Sequence, residues 1–494
     1  MKRKLMLSCL LLTCTGFAAE TPNIIFILAD DIGYGDFSCY GATKVKTPNI
    51  DRLAASGLRF TDGHSAANVC TPSRYAFITG QYAFRQPNTG IASGIEGLLI
   101  PEGRTTIAQV MKRSGYATAV VGKWHLGLGK KPTNYNDEIK PGPNDIGFDY
   151  AWIVPATGDR TPCVWVENRK VVNLDPADPI ILDYSVGRGA PDSFVNGIPR
   201  IGKQTGGKAA LWKDDEMSLV IAKKGVEFIE RSKEKPFFLY FATHNIHVPR
   251  VPNAQFRGKS ACGTRGDAIV EFDWMVGQVV DTLERLGLRE KTLIVLSSDN
   301  GGILDTNGPD KVNAGTVETN NGHAFNGVLR GTKGSLYEGG TRVPFIVSWP
   351  KRVAPGDSDA LVCQVDLMAS FAALTGQKLA EQEGPDSVNV LPHLLGEKTE
   401  KPLRDTLIEQ NNNGLGLALR QATWKYIPGN VLAMKRPKRE KQNKSEIRKK
   451  SDQQPATGQL YNLATDLSET NNVAAQNPER VKEMRAALER IRAK

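Results

Sequence analysis

Four short apolar runs share one pattern along this chain. Each is apolar at consecutive rather than alternate positions and ends at a cluster of polar side chains. Such runs, when helical segments separate them, are typical of a parallel sheet that is buried on both faces. The pattern therefore predicts an α/β fold whose buried strands are residues 23–29, 116–121, 236–242 and 292–297.

Segments between these runs show helical periodicity. The clearest helices are predicted at residues 47–57, 105–115 and 267–287. In the first of them, Thr47 is a candidate N-cap and Pro48 suits the first turn.

The polar residues lie where the predicted strands end. In open α/β sheets, ligands bind at the carboxyl edge of the strands. A single cluster has the ordinary interpretation of a turn or a helix cap. Four clusters at equivalent ends predict a site, formed by Asp30 and Asp31, Lys123 and His125, His244 and His247, and Asp299 and Asn300.

The pattern changes near residue 400. Residues 415–427 and 458–466 are each predicted to form an antiparallel strand, and 477–494 a closing helix with a polar face. The predicted division of the chain is a leader at 1–18, a larger domain at 19–400 and a small α+β subdomain at 401–494.

The net charge of +10 is concentrated in two segments. Basic residues open the chain, and residues 435–450 hold nine basic and two acidic residues. The remainder is close to neutral, so we expect no nucleic-acid partner. Two interpretations of 435–450 stay open: a solvated loop, or a patch that attracts a polyanion such as a sulfated glycan.

The first residues match a secretory signal. A basic start is followed by a short apolar stretch, and Gly16 and Ala18 precede a predicted cut after Ala18. A lipoprotein attached at Cys14 is the alternative. No later segment is long and apolar enough to predict a membrane span. We therefore expect the export machinery to deliver a periplasmic or secreted protein.

Five cysteines follow the leader, and no two form a CxxC pair. This spacing argues against a zinc knuckle and against a dense disulfide framework. An exported chain permits disulfides, but five is an odd number. If one cysteine has a chemical role, the pairing of the others stays open.

Oxygen ligands dominate two of the strand-end clusters. Asp30, Asp31, Asp299 and Asn300 would bring three carboxylates and one amide carbonyl together. Ligands of this kind favour a hard cation, Ca²⁺ or alternatively Mg²⁺, over zinc. Lys123, His125, His247 and Lys333 would add cationic or proton-transferring groups, so the site would suit a tetrahedral oxyanion.

Cys70 precedes a predicted helix start. Thr71 is a candidate cap and Pro72 suits the first helical position, which would place residue 70 at the positive end of the helix. Arg74 lies four residues further on and would reach back along the same face. These features favour a reactive centre over a buried thiol or half of a disulfide.

The stretch Cys70-Thr71-Pro72-Ser73-Arg74, with Gly80 downstream, resembles the C-x-P-S-R signature of type I sulfatases. Further matches to this family occur in its order, at residues 30–31, 122–127, 244–249, 298–302 and 333–344. The resemblance runs from about residue 22 to the end. It implies an alkaline-phosphatase-like fold: a mixed, mostly parallel sheet flanked by helices, with a small C-terminal subdomain.

The resemblance also implies roles for individual residues. A maturation enzyme would oxidise Cys70 to formylglycine, whose hydrate is the nucleophile and a calcium ligand beside Asp30, Asp31, Asp299 and Asn300. The other implied roles are stabilisation of the hydrate by Arg74 and Lys123, protonation of the leaving oxygen by His247 with Lys333, and proton removal by His125.

Substrate recognition is expected from loops. Thr157, Asp159 and Arg160 lie in one such loop, where arylsulfatase A-like members have a serine in place of Thr157. His323 lies in a long polar insertion, residues 303–330, which resembles that of bacterial carbohydrate sulfatases related to N-acetylgalactosamine-6-sulfatase. The alternative for that insertion is an ordered surface loop.

Three functions are therefore compared. The first is a sulfatase acting on a sulfated carbohydrate. The second is a phosphonate monoester or phosphodiester hydrolase, which shares the fold and the signature. The third is an unmatured glycan-binding protein that uses residues 435–450, and the full set of catalytic residue types argues against it.

Overall fold

A ten-stranded sheet forms the centre of the molecule. The computed structural model describes residues 21–304, 320–412, 414, 416–429 and 458–493. The predicted leader and the basic segment 435–450 lie outside these residues, as does most of the insertion after residue 303.

The strands are short, and most are buried. In chain order they are β1 (Asn23–Ala29), β2 (Leu58–Phe60), β3 (Gly63–His64), β4 (Ala117–Lys123), β5 (Tyr150–Val154), β6 (Val166–Glu167), β7 (Lys170–Val171), β8 (Ile181–Asp183), β9 (Phe194–Val195), β10 (Ile198–Pro199), β11 (Lys203–Thr205), β12 (Phe237–Ala242), β13 (Thr292–Ser298), β14 (Phe345–Ser348), β15 (Gly356–Ser358), β16 (Val362–Cys363), β17 (Thr406–Gln410), β18 (Leu417–Gln421), β19 (Trp424–Ile427) and β20 (Gln459–Asn462).

Helices cover both faces of the central sheet. Those described are α1 (Pro48–Ala55), α2 (Cys70–Thr79), α3 (Ile107–Arg113), α4 (Met217–Ser232), α5 (Gly263–Arg285), α6 (Glu338–Thr341), α7 (Leu367–Leu374), α8 (Leu391–Leu394) and α9 (Pro478–Ala493). None of these helices is both long and apolar enough to cross a bilayer.

The central sheet has the strand order β15-β2-β14-β13-β1-β12-β4-β5-β6-β7. Its middle five strands, from β13 to β5, are all parallel, while β14 and β6 pair antiparallel at the two sides. The four strands predicted from the apolar runs are thus neighbours. The mixed, mostly parallel sheet flanked by helices is confirmed.

Alternate residues of β1 enter separate cores. Ile24, Phe26 and Leu28 pack with α2, α3 and α7 on one face. Ile25 and Ile27 pack with α1, α4 and α5 on the other. Because side chains alternate along a strand, burial on both faces requires an apolar residue at every position, which explains the continuous runs.

The C-terminal subdomain is a four-stranded antiparallel sheet, β17-β18-β19-β20, with α9 packed on β18 and β19. The prediction of a single strand at 415–427 is wrong, because this segment is a hairpin of β18 and β19. Its two-residue turn begins at Ala422, which has a φ of 47°. Glycine or asparagine usually marks such a conformation, and neither occupies this turn, so no residue type predicted it.

Candidate functional site

The four polar clusters meet at one edge of the central sheet. The strand order β13-β1-β12-β4 places the carboxyl ends of all four predicted strands side by side. Backbone hydrogen bonds continue past these ends: the amide of Asp299 donates to Ala29 (3.1 Å) and that of Asp30 to Asn245 (2.7 Å). The residues that follow the strands are therefore held together.

Asp30, Asp31 and Asp299 each have an oxygen within 4.8 Å of the other two, and all three are buried. The Oδ1 atoms of Asp30 and Asn300 are buried without a hydrogen-bond partner. Oδ2 of Asp31 lies 4.0 Å from His247, and Oδ1 of Asp299 accepts only a 3.4 Å bond from the Asp31 amide. Each of the four predicted ligands therefore has one oxygen that forms no short hydrogen bond or ion pair within the protein.

Three cations occupy the remaining oxygens. Lys123 Nζ lies 2.5 Å from Asp30 Oδ2, and Lys333 Nζ lies 2.6 Å from Asp31 Oδ1. Arg74 donates from Nε to Asp299 Oδ2 at 2.9 Å. The cations and the uncommitted oxygens therefore lie on different sides of the same carboxylates.

The carboxylates differ in how easily they ionise. Burial, together with the negative charge of Asp299, raises the pKa of Asp30 to about 7 despite Lys123. For Asp31, Lys333 and His247 outweigh burial and lower the pKa well below its usual range. A positive charge at the free oxygens would stabilise the ionised form of Asp30.

Cys70 is the first residue of α2 and is 1 % exposed. The predicted cap is wrong, because Thr71 lies inside the helix. Val69 occupies the N-cap position, and no side chain forms a capping hydrogen bond there. The Thr71 hydroxyl instead donates to the carbonyl of His125 at 3.1 Å. The side chain that resembles a cap therefore joins α2 to the segment that follows β4.

Lys333 reaches the site from a separate loop. Its backbone amide donates to the carbonyl of Gly302 at 3.1 Å, close to the metal-ligand candidates that follow β13. The amide of Gly334 donates to the carbonyl of Asn68 at 2.8 Å, and Asn68 Nδ2 donates to Ser335 at 2.8 Å. The loop of Lys333 is thus tied to the segment that leads into Cys70.

His125 is buried and has a defined tautomer. Its Nε2 lies 3.1 Å from the carbonyl oxygen of Ala92, which can only accept, so Nε2 carries the proton. The buried Nδ1 has no partner and holds the lone pair. Burial and the nearby Lys123 lower the pKa of His125 well below its usual range, so the ring is neutral.

The tautomer of His247 is fixed in the same way, with the roles of the two ring nitrogens exchanged. Nδ1 lies 2.7 Å from the carbonyl oxygen of Val248 and must donate to it, so Nε2 is the nitrogen directed at Asp31. Burial and Lys333 lower the pKa of His247 to about 3, although Asp31 opposes the shift.

The loop after β5 borders His247. The Asp159 carboxylate accepts from the Thr157 hydroxyl and lies 3.1 Å from Arg160 Nη1, which also donates to Thr157 Oγ1 at 2.6 Å. Arg160 and His247 outweigh burial and lower the pKa of Asp159. Thr157, Asp159 and Arg160 therefore form one ion-paired unit beside the site.

His323 has a structural contact. Its Nε2 lies 2.8 Å from Asp36 Oδ1, and Arg265 binds both oxygens of the same carboxylate at 2.5 and 2.6 Å. This buried cluster holds the described end of the insertion against the loop after β1. A role for His323 in substrate binding stays a prediction.

One buried site residue was missed by the sequence analysis. The Tyr240 hydroxyl lies 3.4 Å from Nη1 of Arg74, within a strand that is otherwise apolar. A tyrosine in a fully buried strand needs a partner for its hydroxyl, and that is the signal that would have found it.

The five cysteines among the described residues are all unpaired: Cys39, Cys70, Cys163, Cys262 and Cys363.

Comparisons with known proteins agree with this architecture. The sulfatase family model matches residues 22–377. An N-acetylgalactosamine-6-O-sulfatase of Bacteroides thetaiotaomicron is 46% identical, covering 97% of this chain and 94% of that protein. Human arylsulfatase A is 34% identical, covering 81% of this chain and 73% of that protein.

A solved structure gives the same result. It comes from work on the metabolism of multiple glycosaminoglycans by Bacteroides thetaiotaomicron, and it matches with a TM-score of 0.88 at 46% identity. The match covers 96% of this chain and all of that one (100%). Fold and site define an α/β protein with a carboxylate- and cation-lined site at the edge of a parallel sheet. The chain belongs to the sulfatase family, whose named members are sulfuric ester hydrolases.

Proposed function

We propose that this sulfatase hydrolyses the sulfate ester of a sulfated sugar, using Cys70 as the precursor of its nucleophile and a bound calcium ion. The observation that carries the proposal is the convergence of four uncommitted oxygens with Lys123, His125, His247 and Lys333 at one sheet edge.

The donor set fits calcium. Asp30, Asp31, Asp299 and Asn300 each supply a hard oxygen ligand, and two of these oxygens are buried without any other partner. When bound, calcium would polarise a sulfate oxygen and offset the charge of the carboxylates. Magnesium is the less suitable alternative, because it demands a stricter octahedral geometry.

Cys70 fits the role of a precursor. Formylglycine made from it would supply, as its hydrate, the oxygen nucleophile that attacks sulfur. Because Cys70 is 1 % exposed in the fold, we infer that the maturation enzyme acts before the chain folds. Arg74 and Lys123, which are fully buried beside the site, would orient this oxygen and stabilise its charge.

Two histidines would move protons in opposite directions. His125 presents the lone pair of Nδ1 and would accept a proton from the nucleophile side. His247 directs Nε2 into the site and, as the doubly protonated ring, would give its Nε2 proton to the leaving oxygen, with Lys333 stabilising the charge that develops there. The negative charge of a bound sulfate ester beside the ring would favour this protonated form. The backbone carbonyls of Ala92 and Val248 fix which nitrogen of each ring faces the site.

The substrate class follows from the relatives. The 46% identity to an N-acetylgalactosamine-6-O-sulfatase over nearly the whole chain makes a 6-sulfated N-acetylgalactosamine the first substrate to test. Thr157, Asp159 and Arg160 border the leaving-group side and would contact the sugar. We further propose that residues 1–18 direct the chain to export, which would place the enzyme where extracellular glycans are met.

Sulfate release is the test. The protein is purified from a host that converts Cys70 and is assayed on 6-sulfated N-acetylgalactosamine, on an aryl sulfate and on phosphonate and phosphate esters. We expect release from the sulfated sugar, none by Cys70→Ala, and normal release by the matched control Cys39→Ala, which changes a half-buried cysteine outside the site. Faster hydrolysis of the phosphonate or phosphate ester would contradict the proposal.

A further inference from the structure

Ser218 connects helix α4 to the turn that follows β12. Its hydroxyl oxygen lies 3.2 Å from His244 Nε2 and 3.0 Å from Asn245 Oδ1. Ser218 and Asn245 are each 2 % exposed, and His244 is 8 % exposed. The roles described above use none of these three residues.

The direction of each hydrogen bond is fixed from helix α5. Asn245 Nδ2 lies 3.4 Å from the backbone carbonyl of Ala268 and 3.1 Å from Glu271 Oε2. Because a backbone carbonyl can only accept, the amide nitrogen must face α5 and Oδ1 must face Ser218. The Asn245 side chain therefore has one orientation.

This orientation determines the tautomer of His244. Ser218 has a single hydroxyl proton, and both Asn245 Oδ1 and the Glu271 carboxylate are acceptors for it, so the hydroxyl oxygen must accept from His244 Nε2. The proton of the neutral imidazole is then on Nε2, and the lone pair is on Nδ1. A carboxylate and a carbonyl on α5 thus specify, through two side chains, which nitrogen of His244 is an acceptor.

His244 Nδ1 is open to solvent at the site. The hydrogen bond of the His244 ring uses Nε2, while Nδ1 has no partner in the protein and is not sealed from solvent. His244 also feels the charge of the buried Lys123, and the amide of His247 donates to its carbonyl at 3.0 Å. The acceptor nitrogen is therefore accessible in the same turn that carries His247, near Lys123.

We propose that His244 is a substrate-binding residue whose Nδ1 accepts a hydrogen bond from a hydroxyl group of the sugar next to the sulfate ester, and that Ser218 is its positioning residue. This proposal rests on the sulfated-sugar substrate proposed above. A neutral acceptor at this place would favour a sugar over an aryl sulfate, because the aryl ring has no neighbouring hydroxyl to donate.

Two variants separate binding from folding. His244→Gln retains an amide that can donate to Ser218 but has no acceptor at the place of Nδ1. Ser218→Ala removes the contact that sets the tautomer, and Ser232→Ala is its matched control, a buried serine in the same helix with no described side-chain bond. The readout is the ratio of kcat/KM for the sulfated sugar to kcat/KM for an aryl sulfate.

We expect this ratio to fall about tenfold in both variants, through KM for the sugar, and to stay constant in Ser232→Ala, since one hydrogen bond contributes up to a factor of this size. Equal losses on both substrates would show that the turn is only structural and would overturn the proposal.

Nitrogen-15 NMR of the histidines tests the tautomer independently of activity. The signal lost in His244→Gln identifies His244, and we expect its Nε2 to be protonated and its Nδ1 unprotonated in the wild type. A protonated Nδ1 would overturn the proposal. Failure of the mature wild type to cleave either sulfate ester would count against the proposed function, while the tautomer measurement would still decide the role of Ser218.

Discussion

Among the residues that the structure describes, two buried groups of acidic side chains come close enough together to share a cation, and they differ in how far protein cations already bind their oxygens. The first is the site at the sheet edge. The second, here called the junction cluster, joins the central sheet to the C-terminal subdomain. Both contain carboxylates close enough to share a cation. The junction cluster consists of Asp62, His64, Glu338, Arg342, Glu409, Arg420, Lys425 and Glu469.

The clusters differ in what their oxygens already bind. At the junction, Arg420 binds both oxygens of Asp62 at 2.6 and 2.5 Å. Glu338 is held by Lys425 at 2.9 Å and by Arg342 at 3.1 Å. At the sheet edge, each carboxylate keeps one oxygen away from the cations.

This comparison shows that the count of acidic residues does not define a metal site. In the junction cluster, protein cations bind both oxygens of Asp62 and both oxygens of Glu338, and these ion pairs join two parts of the chain. At the sheet edge each carboxylate has an oxygen that no protein cation binds, and an added positive charge there would stabilise the ionised form of Asp30, whose pKa burial raises. Predictions that alter one cluster while the other is retained test this distinction.

The largest expected effect is on catalysis. Asp299→Asn removes a ligand charge and the partner of Arg74, and we expect sulfate release to fall about 10³-fold, the scale of a lost electrostatic contact in an active site. The matched control Asp62→Asn changes a buried aspartate of the junction cluster and should retain kcat in the folded fraction. A loss of sulfate release smaller than tenfold in Asp299→Asn would contradict a catalytic role for the sheet-edge site.

The next effect is on stability. Lys425 is fully buried among Glu338, Glu409 and Glu469. Lys425→Met leaves these carboxylates without their shared cation, so we expect the free energy of unfolding to fall by about 3–5 kcal/mol. Urea denaturation measures it, and Lys223→Met, on the exposed face of α4, is the control. Equal stability of the two variants would contradict the role given to the junction cluster.

Calcium alone should distinguish the two clusters. At a hundredfold excess over Kd, binding to the folded state adds about 2.7 kcal/mol of stability. We expect the rise in Tm with calcium to be lost in Asp299→Asn and retained in Asp62→Asn. The opposite pattern would place the ion at the junction cluster.

The smallest effect depends on pH. Burial and Glu338 raise the pKa of Glu469 to about 8, despite Lys425. The folded state therefore binds this proton more tightly than the unfolded state, and its contribution to stability is lost as pH rises from about 4.5 to 8. Glu469→Gln should be more stable than the wild type at pH 8, with the difference shrinking as the pH falls towards 5. Parallel Tm curves would show that Glu469 is ionised throughout.

The site at the sheet edge was predictable because its polar residues follow the strands directly in the sequence. Each apolar run fixes a strand, and the next one to five residues must lie at its carboxyl end, so Asp30, Lys123, His247 and Asp299 could be grouped without a structure. The fold class was predicted from the same apolar runs, and the structure confirms it.

The junction cluster was not predictable. Asp62, Glu338 and Lys425 lie far apart in the sequence, and no local pattern relates one to another, so only the folded chain brings them together. The hairpin at Ala422 and the use of Thr71 away from the helix cap were missed for a related reason. In each case a tertiary contact, rather than a local preference, decides the conformation.

The most direct test measures sulfate release against the extent of Cys70 conversion in the same preparations. Mass spectrometry of the Cys70 peptide gives the converted fraction, since the aldehyde is about 18 Da lighter than the thiol. The account predicts that release from 6-sulfated N-acetylgalactosamine rises in proportion to this fraction and is zero when all of Cys70 is a thiol. Activity in a fully unconverted preparation, or none on the sugar in a fully converted one that contains calcium, would contradict it.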